Sequence, residues 1–244
     1  MFYPVHLETI ASPKLAVLGR RRMATDQLLW LAAGSALLRL GRAEFVLRSG
    51  DCFWLPADCL HGLTLLQGCQ LGRLRFSIRI DAPRPKAAGF IAPSPLLQAL
   101  LDRLIAAPQP VAPDSQAGRW LDCVGDLLPE WQLADPRPQP LPEGVSTLLE
   151  GICLGQSLPA IMQTCHQRHG WNARTAMDAF QQALGTDLLS WQEQWQLLQI
   201  PVLLRQGFSE EQAWQKAGFG SEEHYQQCGQ RFGDARTVTT GQTS

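Results

Sequence analysis

Three small groups of residues in this chain have the types and spacing to do chemistry. The first is in "GDCFWLPADCLH", where Gly50, Pro56 and His61 follow one another at short intervals. An imidazole at such a loop-to-strand junction can hydrogen-bond, titrate near neutral pH or ligate a metal. With Trp30 and Trp54 on neighbouring runs, His61 is a candidate lining residue of a ligand pocket at a barrel mouth. The plainer alternative is a ring satisfied by local hydrogen bonds. The second group is Cys165, His166 and His169 in "CHQRH". These are metal-ligand types, but they lack a fourth partner, and a solvated helix end explains them more simply. The third group pairs Arg174, Thr175 and Gln181 with Gln226, Gln227 and Arg231. Guanidinium groups neutralise phosphates, and glutamine amides match adenine edges, so these are candidate DNA contacts.

What is missing also informs. The run "LLWLAAGSALLRLGRAEFVLRSG" before His61 contains no histidine, so His61 has no companions for a three-ligand site. The expectation is no metal centre, no catalytic set and no cofactor, hence no enzyme.

Two kinds of element must position these groups. From about Leu28 to Ile80 the chain reads as short β-like runs separated by glycines, the pattern of an all-β barrel or sandwich. Two amphipathic helical runs follow. The first carries Leu96, Leu97, Leu100, Leu101, Leu104 and Ile105, and the second Trp120, Leu121, Val124, Leu127 and Leu128. The Pro-rich stretch "PEWQLADPRPQPLPEG" then reads as a semi-rigid linker. Beyond it every run has helical character, with Asn172, Thr186, Ser209 and Ser221 as expected N-caps. Pro201 is expected to kink or shorten the helix that contains it. The boundaries read as 1–131 for a β domain with two flanking helices, 132–143 for the linker, 144–236 for an all-α domain and 237–244 for a frayed tail.

Bulk properties narrow the function classes. The chain has 244 residues, 18% charged, with a formal net charge of −1, so no global basic field points to nucleic acid. Its seven cysteines form no C-x-x-C pair and suit a reducing cytosol. No signal peptide or spanning segment is expected, which predicts a cytoplasmic protein without a membrane partner.

Two resemblances follow from the motifs. Gly50, Pro56 and His61 resemble the second conserved motif of cupins, with Asp58 where glycine is usual. The helical half resembles the twin helix-turn-helix domain of the AraC/XylS family of transcription regulators. The matching residues are the Leu203–Leu204 pair, Gly218–Phe219, His224–Tyr225 and the closing Phe232–Gly233. Upstream, Arg174, Thr175, Phe180 and Gly185 fit the first unit. The order of parts (cupin-like domain, two helices, linker, helical domain) also fits. The resemblance implies a regulator that binds DNA under control of a small effector or protein partner at its N-terminal domain. Its alternative is a relative whose helical half binds a protein instead of DNA.

Charge favours that alternative. From Val145 onward the basic residues are Arg168, Arg174, Arg205, Lys216, Arg231 and Arg236. The acidic residues are Glu150, Asp178, Asp187, Glu193, Glu210, Glu211, Glu222, Glu223 and Asp234. Positions where family members carry Arg or Lys hold Asp178, Gln181, Gln182, Gln196, Gln226 and Gln227. Finally, the apolar stripes between about Ser94 and Trp131 look wider than a small barrel can cover, which predicts a homodimer through those helices.

Overall fold

The computed structural model describes residues 5–134 and 141–232. Residues 135–140 of the expected linker, Gly233, Arg236 and the expected tail lie outside the described residues. The chain divides into two compact units, Met1–Pro13 with Val17–Pro140 and Lys14–Ala16 with Leu141–Ser244.

Among the described residues the first unit has nine strands in two antiparallel sheets. Strands β1 (Val5–Ser12), β3 (Asp26–Ala33), β6 (Cys52–Leu55), β8 (Cys69–Phe76) and β9 (Gly89–Ile91) form one, in the order β1-β8-β3-β6-β9. Strands β2 (Ala16–Arg21), β4 (Ser35–Leu40), β5 (Ala43–Arg48) and β7 (His61–Leu65) form the other, in the order β2-β7-β4-β5. The sequence reading anticipated β3 to β8 but not β1, β2 or β9. β1 pairs with β8, far along the chain, and such non-local pairing leaves little local signal.

Register assigns each residue to a face. In the larger sheet Glu8, Arg73, Leu29, Phe53 and Phe90 share one face, because each stands opposite the next across a ladder. Phe45 of β5 meets both Phe53 and Phe90, with ring centroids 5.8 and 6.2 Å away. That face therefore looks inward at the smaller sheet. The opposite face carries Leu28, Trp30, Trp54, Leu74 and Phe76, and it packs under helices α1 (Pro95–Leu104) and α2 (Gln116–Asp126).

This arrangement corrects the reasoning that led to a dimer. Leu97, Leu101, Leu104, Leu121, Val124 and Leu128 are all buried against the sheet of their own chain, with Trp131 closing the same cluster. A wide stripe needs no second copy when a tryptophan-lined sheet face lies beneath it. Only Leu96 stands well out, 58% exposed.

Among the described residues the second unit contains six helices: α3 (Glu143–Cys153), α4 (Leu158–His169), α5 (Ala173–Leu184), α6 (Leu188–Arg205), α7 (Glu210–Ala217) and α8 (Glu222–Phe232). Two helix pairs, α4–α5 and α7–α8, are each joined by a short turn. Gly170 and Gly218 open those turns at φ 69° and 100°, a conformation that a side chain would strain. The first pair packs with α3 and the start of α6 around Ile161, Cys165, Phe180 and Trp191; the second packs on the end of α6 around Leu197, Ile200, Phe219 and Tyr225.

Asn172, Ser209 and Ser221 accept the backbone N–H bonds expected of caps, and Ser209 with Gln212 completes a capping box. The cap of α6 is Asp187 rather than Thr186, since the Asp187 carboxylate accepts from the Ser190 N–H at 2.8 Å. α6 also runs through Pro201 without being shortened. Only one turn follows the proline, so the loss is confined to the single bond its missing N–H would have made.

Candidate ligand site in the barrel and the outer helix faces

His61 begins β7 opposite Leu40 of β4, in step with the Leu38–Leu63 pair and with Phe45. It therefore faces the barrel interior, where it is 2% exposed. The turn before it holds Asp58 at φ 60°, the one non-glycine residue with positive φ among the described residues. Aspartate tolerates that conformation better than most side chains, which explains how it replaces a glycine there.

Trp30 and Trp54 do not share that interior. Both lie on the opposite face of the larger sheet, beneath α1 and α2, so the expected grouping with His61 at a barrel mouth is corrected. A strand's two faces are one residue apart, and tryptophan suits either. The interior that His61 faces is apolar around Leu29, Phe45 and Phe53, and it also holds polar and charged residues: Arg73 and Gln27, 2% and 1% exposed, with Glu8, Arg75 and Arg21 near them. The sequence reading missed them. The available signal was the alternation of Arg73 and Arg75 in "GRLRF", which puts two cations on one face of a strand whose other face is apolar.

The hydrogen bonds in this interior are incomplete. The Arg73 guanidinium donates to Glu8 at 3.1 Å. The Nδ1–H of His61 donates to the Cys59 carbonyl at 2.9 Å, so Nε2 is left as an acceptor. No partner among the described residues reaches His61 Nε2, Gln27 Oε1, Arg73 Nε or Arg75 Nε. Each such buried orphan costs about 1–3 kcal/mol against a total stability of about 5–15 kcal/mol. The set comprises two acceptors and two cationic donors.

Electrostatics agree with a cationic interior. Burial holds the His61 pKa below its ordinary value of 6.5, and Arg73 and Arg21 add to this while the Cys59 carbonyl opposes it. Because the folded pKa is depressed, the unfolded chain binds this proton more readily than the folded one. The stability that a neutral His61 provides is thus fully present above pH 6.5 and is lost as pH falls toward the folded pKa. Urea unfolding between pH 7.5 and 5 is expected to show stability falling, and a His61→Gln variant should show a shallower fall. An equal slope in both proteins would refute the assignment.

On the helices the candidate DNA contacts are dispersed. Arg174, Thr175 and Gln181 lie on the exposed side of α5; Arg174 sits 3.8 Å from Asp178, and Thr175 bonds to Asn172 through both its N–H and its hydroxyl. Gln226 and Gln227 are exposed on α8 and donate to Glu222 and Glu223 one turn back, at 2.9 and 3.4 Å. Arg231 is less free than expected. Its guanidinium donates to the Ser190 hydroxyl at 3.1 Å, pairs with Glu193 at 3.5 Å and lies 4.7 Å from the Phe232 ring centroid. It ties α8 to α6 rather than pointing away from the unit.

Comparison with known proteins fits this geometry. The model of the family described as AraC-like ligand binding domain matches residues 20–189. The chain belongs to that family. The match runs from β2 into the start of α6 and includes most of the first unit, a cupin-like, AraC-like ligand-binding domain. Among solved structures, a cupin superfamily protein from Desulfitobacterium hafniense is 13% identical over 31% of this chain and 70% of its own, with a TM-score of 0.30. An RmlC-like cupin from Shewanella frigidimarina is 20% identical over 32% and 71%, also at 0.30. At such scores the likenesses carry no further weight. No curated protein matches. Among the described residues no helix is long and apolar enough to cross a membrane.

Proposed function

We propose that the protein is a transcription regulator whose cupin-like unit takes a small hydroxycarboxylate in its barrel interior and whose helical unit meets DNA. One observation carries the effector half: the unsatisfied polar atoms of His61, Gln27, Arg73 and Arg75. A carboxylate accepts from the two arginine N–H groups, and a hydroxyl donates to His61 Nε2 or Gln27 Oε1. A neutral sugar would leave the cationic excess unbalanced, and a simple carboxylate would leave the acceptors orphaned. The family supports a sensing role.

The DNA half rests on the two helix pairs with glycine turns, which have the layout of helix-turn-helix units, and on the exposed Arg174, Gln181, Gln226 and Gln227. A specific observation favours a second reading, a protein partner in place of DNA. Glu210, Glu211, Glu222 and Glu223 sit in the first turns of α7 and α8, while Arg231 is engaged with Glu193. The two readings separate by salt dependence. Selection of bound duplexes from a random library should return a preferred site. The log–log slope of affinity on salt should correspond to about two to four phosphates per chain, shallow because so few cations face outward. Recovery of no duplex at low salt would reject the DNA reading and leave the protein partner. A slope demanding eight or more phosphates would show that the contact surface is misassigned.

A further inference from the structure

We propose that Glu193, His224 and Cys228 form a binding site for one zinc ion that fastens α8 to α6. The three side chains come from two helices of one unit. Glu193 lies on α6, and His224 and Cys228 are one turn apart on the same face of α8. One ligand atom from each lies within 4.8 Å of the others. Among the described residues no other three such side chains converge this closely. The cluster that the sequence made conspicuous does not: Cys165 is buried with its thiol toward the Gly144 carbonyl, and His169 Nε2 meets the Thr147 hydroxyl at 2.9 Å.

The distances suit a tetrahedral ion. His224 Nε2 and Glu193 Oε1 are 3.3 Å apart. Two ligand atoms bound to zinc at about 2.0–2.1 Å in a tetrahedron are separated by roughly 3.3 Å, so this edge is already formed. The Cys228 thiol lies within 4.8 Å of the Glu193 and His224 ligand atoms, and binding the ion would displace its proton. Half-exposed His224, against 4% exposed Cys228, leaves a fourth position facing water.

Arg231 looks like an obstacle, since its Nη1 is 3.5 Å from Glu193 Oε2. The thiolate and the carboxylate together cancel the two charges of zinc, so the guanidinium would face a neutral centre. Glu193 also divides its oxygens: Oε1 faces His224, while Oε2 faces Arg231 and makes no hydrogen bond among the described residues. A ligating carboxylate held from behind by a cation is the usual outer-shell arrangement. Ion pairing of Glu193 with His224 and Arg231 would also join the helices without any metal, and it is the outcome the test must separate.

The full chain, stripped with a chelator, would be titrated with cobalt and then zinc, with metal content measured after gel filtration. The result expected is one ion per chain and a thiolate-to-cobalt charge-transfer band that Cys228→Ser abolishes. Zinc affinity should fall in Cys228→Ser and in His224→Gln by more than the roughly 10–100-fold that losing an outer-shell partner costs. His166→Ala should leave it unchanged. Because His224 is half-exposed, His224→Gln keeps the test decisive should the core variant fail to fold. Absence of a stoichiometric ion, or binding that keeps its affinity in His224→Gln, would overturn the proposal.

Discussion

Arg73→Met protein is expected to be at least as stable as the parent and to bind a small hydroxycarboxylate at least about 30-fold more weakly. The stability half follows from burial. Arg73 is 2% exposed and its Nε is unpartnered, while its carboxylate partner Glu8 is 41% exposed at the side chain. An apolar side chain of similar length removes a desolvated charge and leaves behind a carboxylate that water can still reach. The binding half follows from losing a buried charge-assisted partner, which costs about 2–5 kcal/mol. Thermal unfolding and calorimetric titration would read the two effects separately. Arg73→Lys, which keeps the charge without the planar fork, should fall between parent and Arg73→Met in affinity. A parent-like affinity in Arg73→Met would remove the interior site.

The second large effect is expected at Gly72. A Cβ placed there would lie 2.2 Å from atoms of the Trp30 ring, closer than any packing adjustment of a buried indole permits. Trp30 is 1% exposed between the sheet and its covering helices, so the ring has no direction of escape. Gly72→Val should therefore cost more than about 3 kcal/mol, at or beyond the upper end of overpacking effects, and should abolish the near-ultraviolet signal of the barrel tryptophans. Trp30→Ala alone is expected to cost about 3–5 kcal/mol by opening a cavity. The double variant should lose far less than the sum, because each change relieves the other. Additive losses would show that the contact is not the reason for the glycine.

Much of the fold was legible because it is written locally. β3 to β8 are strand-length runs separated largely by glycine turns, and Asn172, Ser209 and Ser221 act as the caps their types suggest. What was not legible depends on long-range placement. The pairing of β1 with β8, and the choice of sheet face for Trp30 and Trp54, follow from register across strands distant in sequence. His61 was found from a motif. Arg73 and Gln27, which face the same interior, were not, since each looks like an ordinary strand residue until the sheets close. The same holds for Glu193, which meets His224 from 31 positions away. The overlooked covering of Leu97, Leu101 and Val124 shows the reverse error, in which a stripe was taken as spare because the surface beneath it was invisible.

The central claim is that a hydroxycarboxylate fills the barrel interior and satisfies its orphaned atoms, and His61 can report on this directly. Full-length protein with nitrogen-15 in its histidine rings, assigned against His61→Gln, would be titrated with glycolate, lactate or gluconate at constant pH. The account predicts that the Nε2 resonance of His61 moves saturably as a hydroxyl begins to donate to it, while acetate and neutral polyols leave it in place. Saturable binding of these acids with the His61 resonance unmoved, or no binding of any of them, would contradict it.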